Sequence, residues 1–148
     1  MNAYEQVAGM DDVYRLSPNG VELAADEMRP LIERIASRFP RGTFTFYGVI
    51  GKFLRGEWTC WVRKSPDGKI ETLMASAAYP DMNGDGIFQI MFVVGGDKSS
   101  ILESLRNLEI VAKEAGIKKV EFLGREGWLP DMRKMGYDIS HRMFIKEL

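Results

Sequence analysis

The sequence predicts an α+β fold, an α/β sandwich in which helices cover a mixed central sheet, with elements in the order β-α-α-β-β-β-α-β-α-β. Three observations predict it. Residues 58–63 alternate with period two, Trp58, Cys60 and Val62 to one side and Thr59, Trp61 and Arg63 to the other, and the turn Ser65-Pro66-Asp67-Gly68 follows. Residues 87–94 are almost continuously apolar, as in a strand covered on both faces. Ile101, Leu105, Leu108, Ala112 and Ala115 then recur on one helical face, and Gly116 stops the segment.

The remaining elements follow in order. Residues 1–11 are weakly patterned and read as a loose arm. Residues 12–16 form a short strand that ends in the turn Ser17-Pro18-Asn19-Gly20. Asn19 and Glu22 resemble a capping pair, and Ala24, Met28, Leu31, Ile32, Ile35 and Phe39 predict a helix that Pro30 should kink. Phe46, Val49, Ile50, Phe53 and Leu54 fit a second helix better than a strand, ending near Gly56. Residues 70–79 return as a strand, and residues 80–86 form a turn. Ser99 or Ser100 is the expected cap of the long helix. Residues 119–123 are a strand, 128–135 a short helix with Pro130 in its first turn, and 137–145 the last strand.

Composition narrows the function. The 148 residues are 45% apolar and 28% charged, a globular balance for a single domain over 12–148. Twenty basic residues against 21 acidic ones give a formal charge of −1, which speaks against a general nucleic-acid binder and leaves room for a local basic patch. One cysteine, Cys60, and one histidine, His141, leave no disulfide framework and no thiolate- or histidine-rich metal centre. No apolar run approaches the ~18 residues of a membrane span, and no signal peptide is evident, so a cytoplasmic protein is expected.

Three stretches carry a family resemblance. Gly56-Glu57-Trp58-Thr59-Cys60-Trp61-Val62 opens a strand, Phe92-Val93-Val94-Gly95-Gly96 leads into the long helix, and Ala112-Lys113-Glu114-Ala115-Gly116 precedes Val120-Glu121-Phe122-Leu123-Gly124-Arg125-Glu126-Gly127-Trp128. In this order they resemble the GNAT superfamily of acyl-CoA-dependent N-acyltransferases, in the compact form often encoded by bacteriophages and prophages. The resemblance implies a GNAT-like mixed sheet in which strands 87–94 and 119–123 splay apart. It also implies acetyl-CoA or another acyl-CoA as substrate, with no metal. The pyrophosphate would lie on the helix start, at Gly95, Gly96, Lys98, Ser99 and Ser100. Backbone donors near Val93 and Val94 would polarise the thioester carbonyl. Gln89, Arg125 and Trp128 would line the substrate pocket. Met132 stands where the family places an acidic tyrosine, so Tyr137 is the nearest replacement. The central strand carries no carboxylate, Gln89 being its only polar residue.

Each of these residues also has a plain structural reading. Loop 95–100 is equally a strand-to-helix turn that needs glycine, and Trp128 is a pocket wall or a pin for the last helix. Asp81-Met82-Asn83-Gly84-Asp85-Gly86 resembles half of a calcium loop, but Phe92 occupies the position of its bidentate glutamate, so a hairpin turn is expected. Cys60 reads as core packing. His141 reads as exposed or structurally hydrogen-bonded, with a general base as the alternative. Phe44, Phe46, Tyr47 and Phe53 read as core, with an oligomer or partner surface as the alternative. Two function classes stay open beside the transferase: a GNAT-like fold serving phage assembly, the virion or host interaction, and nucleic-acid base modification.

Overall fold

The computed structural model describes residues 3–39 and 44–140 and the single positions 144, 146 and 148. Six strands form one sheet in sequence order: β1 (Tyr4–Gln6), β2 (Val13–Leu16), β3 (Thr59–Lys64), β4 (Ile70–Pro80), β5 (Gly86–Val94) and β6 (Lys119–Phe122). Neighbours pair antiparallel except β5 and β6, which run parallel. Helices α1 (Pro18–Ala36) and α2 (Phe46–Leu54) precede β3, α3 (Lys98–Glu114) links β5 to β6, and α4 (Leu129–Lys134) follows a 3₁₀ turn at Glu126–Trp128.

Alternation along the strands divides the core in two. Leu16, Cys60, Val62, Leu73, Ala75, Phe92 and Val94 meet Val21, Ala24, Met28, Ile32 and Ile35 of α1 and Val49 and Phe53 of α2. On the opposite face Val13, Trp61, Met74, Phe88, Ile90 and Val93 meet Ile101, Leu105, Leu108 and Ala112 of α3 and Met132 of α4. The mixed sheet with helices on both faces is therefore the predicted one, and the two-sided burial of β5 explains its unbroken apolar run.

Several local expectations need correction. Residues 4–6 are not a loose arm: they pair with Tyr14–Leu16, and Tyr4 meets Tyr14 edge-on at 6.3 Å. Three alternating residues were too short a pattern to read without the neighbouring strand. Ser17, not Asn19, caps α1, its Oγ accepting the Gly20 N–H at 3.1 Å with Pro18 at the first helical position. Pro30 lies inside the helix, as expected. Asp97, not Ser99 or Ser100, caps α3, its carboxylate accepting the Ser100 N–H at 2.8 Å. Tyr137–Ser140 is not a strand, and the rest of the expected last strand, with His141, lies outside the described residues apart from Phe144, which is not in a strand.

Arg63 ties α3 to the sheet. Its side chain is 7% exposed, and Nη1 lies 3.3 Å from both Asp12 and Glu103, while Nε and Nη2 have no hydrogen-bond partner among the described residues. A buried guanidinium depends on its partners, because an uncompensated buried charge costs far more than the pair contributes. Removing one of the two half-exposed carboxylates should cost ~1 kcal/mol. Removing both, as Asp12→Asn with Glu103→Gln, should cost ~3 kcal/mol in urea unfolding. A double variant within ~0.5 kcal/mol of the parent would contradict this.

Candidate functional site

The parallel ladder between β5 and β6 is short. It runs from Ile87 opposite Lys119 to Ile90 opposite Phe122, and its last bond is the Leu123 N–H to the Ile90 carbonyl at 3.1 Å. β5 continues for four residues beside β4 alone. At that point it carries an extra residue: Ala75 faces Phe92 and Ser76 faces Ile90, so Met91 has no counterpart. This β-bulge breaks the alternation, since Phe88 and Ile90 face α3 whereas Phe92 and Val94 face α1 and α2. Strand N–H and C=O groups point alternately to the two edges. Because β4 occupies only one edge, the β6-side edge of Met91–Val94 has no strand partner among the described residues. The two strands form a fork with its crotch at Ile90.

Beside the crotch, three strands bring polar side chains together. Gln89 of β5 lies opposite Glu121 of β6 and donates to its carboxylate through Nε2 at 3.3 Å. Tyr79 of β4 donates its hydroxyl to both carboxylate oxygens at 2.6 Å. That bond holds the tyrosine pKa above its ordinary value, so the phenol keeps its proton. The neighbours Phe88, Ile90, Val120 and Phe122 pack on the α3 side, which puts Gln89 and Glu121 on the α1/α2 side of the sheet. Both are partly exposed. Glu121 is a carboxylate the sequence reading missed. The register that sets it opposite Gln89 is the only signal for it, and register needs the fold.

Residues 95–100 pack closely against β4 and α1. Gly95 and Gly96 have φ of +98° and +77°. A Cβ on Gly95 would lie 2.3 Å from the Glu71 carbonyl oxygen and 2.9 Å from Leu31, and the Thr72 hydroxyl donates to the Gly95 carbonyl at 3.3 Å. Ser100 donates its hydroxyl to the Glu71 carboxylate at 3.0 Å. Glu71 is itself the extra residue of a second bulge, since Arg63 faces Thr72 and Lys64 faces Ile70. Lys98 pairs with Asp131 of α4 at 2.8 Å.

The other sequence candidates scatter. Val93 and Val94 lie on the length of β5 that pairs with β4 but not with β6, and are buried. Tyr137 is on the α3 side and donates to Glu109 at 2.8 Å, its pKa driven up first by burial and then by that bond. Trp128 packs half-buried on the α3-side core. Arg125 is exposed and near Arg38, just past α1; burial first, then Arg125 and Arg34, lower the Arg38 pKa. Trp128 therefore lies across the sheet from Gln89, and the three do not share one face.

Residues 81–85 form a self-satisfied turn, with Asp81 accepting the N–H groups of Asn83 and Asp85 and pairing with Lys119 at 3.3 Å. No cluster of three or more possible metal ligands occurs among the described residues. Cys60 is 1% exposed with its Sγ 3.8 Å from the Met28 sulfur, and burial pushes its thiol pKa far up. It should resist a water-soluble disulfide reagent in the native state and react fully in denaturant. Rapid native labelling would contradict its burial.

No protein-family model and no curated protein matches the sequence. Solved structures do match the fold. A Trypanosoma brucei acetyltransferase is 18% identical with a TM-score of 0.67, covering 93% of this chain and 99% of its own. A ribosomal-protein-alanine N-acetyltransferase from Brucella melitensis biovar Abortus 2308 is 13% identical with a TM-score of 0.71 over the same shares. A predicted acetyltransferase from Clostridium acetobutylicum, solved with acetyl-CoA, is 14% identical with a TM-score of 0.63, covering 91% of this chain and 95% of its own. The six-stranded mixed sheet and its helices thus match the fold of the GNAT acetyltransferases. No described helix is long and apolar enough to cross a membrane.

Proposed function

We propose that the protein is an N-acyltransferase that moves an acyl group from a coenzyme A-type thioester to an amine. The single observation that supports this best is the parting of β5 and β6 at the Met91 bulge, which leaves a strand edge open beside buried Val93 and Val94. A thioester arm laid along that edge completes the interrupted ladder, and main-chain N–H groups near Val93 and Val94 stabilise the carbonyl oxygen as it gains charge.

The acceptor nitrogen attacks the thioester carbon, an N–C bond forms, the C–S bond breaks, and the thiolate leaves. Glu121, held by Tyr79 and Gln89, takes the proton of the amine. Val93 is four residue steps along the strand from Gln89, roughly 13 Å before the bulge shortens it, so the proton travels through a chain of water molecules. Tyr137 is committed to Glu109, so the thiolate is protonated from solvent.

A second reading has an observation of its own. Asp97 and Glu71 occupy the helix start that would bind pyrophosphate, as in a phage-encoded GNAT fold retained for assembly or host contact without chemistry. Thiol release from acetyl-CoA over a panel of amines separates the two. Amine-dependent release supports the transferase. No release, with no melting-point shift at millimolar ligand, leaves the second reading; a ligand at 100 times its Kd would stabilise the fold by ~2.7 kcal/mol.

A further inference from the structure

Where the diphosphate of a nucleotide-bearing donor would reach the chain, negative charge is already in place. Asp97 accepts the Ser100 N–H at 2.8 Å, which fills the helix-start position an anion would take. That bond also holds its carboxyl below the usual range, so it is ionised at neutral pH. Glu71, aimed at the loop by its bulge, accepts the Ser100 hydroxyl at 3.0 Å, and its Oε1 would lie 3.2 Å from a Cβ on Gly96. Lys98, the one cation of loop 95–100, is paired with Asp131, whose side chain is 15% exposed. The fork itself is different in character, with buried Phe92, Val93 and Val94 and no charged residue along Met91–Val94.

Building on the transferase reading, we infer that the protein recognises its acyl donor through the uncharged thioester arm, an acylated pantetheine, and does not grip a nucleotide diphosphate at loop 95–100. The diphosphate of a coenzyme A donor stays in solvent, and an arm without one binds at least as well. The two carboxylates then act as a selectivity device, because like charges brought together repel and weaken binding of the anionic form.

Calorimetry with acetyl-CoA and with S-acetyl-pantetheine tests this on the intact protein. The expected affinities differ by less than tenfold. In the double variant Glu71→Gln with Asp97→Asn, which keeps the cap and the Ser100 acceptor, acetyl-CoA should tighten threefold or more while S-acetyl-pantetheine stays within twofold. An unchanged melting temperature shows that the variant is folded. A parent that prefers acetyl-CoA by more than tenfold, or a folded variant with less than threefold tightening, overturns the inference and leaves the transferase reading standing. Failure of both thioesters to bind the parent removes both.

Discussion

Gly95→Ala is expected to destabilise the protein by ~4 kcal/mol, with a fall in melting temperature of about 10 °C for a domain of this size. Two independent costs meet there. The φ of +98° is strained for any residue with a Cβ, at ~1–3 kcal/mol. The new Cβ would also sit 2.3 Å from the Glu71 carbonyl oxygen, and main chain at a bulge beside a packed helix cannot yield as a side chain does. Gly96→Ala is the control. Its closest contact is the Ser100 Cβ at 2.9 Å, so it should lose ~1–3 kcal/mol, mostly from its own positive φ. Equal, small losses at both sites would contradict the packing described for this loop. Larger side chains at Gly95, aspartate included, therefore report on folding before they report on ligand binding.

Glu121→Gln is expected to reduce turnover by ~10²- to 10⁴-fold, the usual contribution of a positioned general base. The fold should survive, because the amide can still accept from the Tyr79 hydroxyl and the site is partly exposed. The loss should appear in kcat, with thioester affinity unchanged, since the carboxylate lies opposite Gln89, on the paired part of the ladder and not along Met91–Val94. Turnover within threefold of the parent would remove Glu121 from the reaction and return amine deprotonation to solvent.

How much of this was legible depended on range. The alternation of Trp58, Cys60 and Val62 and the helical spacing after Ser100 are local patterns, and the two-sided core follows them. The bulges at Met91 and Glu71 were not legible. Each is a relation between two strands, and nothing in Ile90-Met91-Phe92 or Glu71-Thr72 marks the extra residue. Both matter for the site, one by bending β5 where β6 leaves it and the other by aiming a carboxylate at the helix start. The same limit hid Glu121, which lies opposite Gln89 only because the parallel register places it there. Asp97 caps α3 because its backbone is extended, and the sequence offers Ser99 and Ser100 beside it as equally suitable cap residues.

The most direct test is an amide chemical-shift titration of the isotope-labelled protein with S-acetyl-pantetheine. An uncharged arm entering between two diverging strands should move the amides of Met91–Val94 and Leu123 most, and those of α2 and the 81–85 turn least. Saturating shifts confined to surfaces away from these five positions, or no shifts at millimolar ligand, would show that nothing enters the fork.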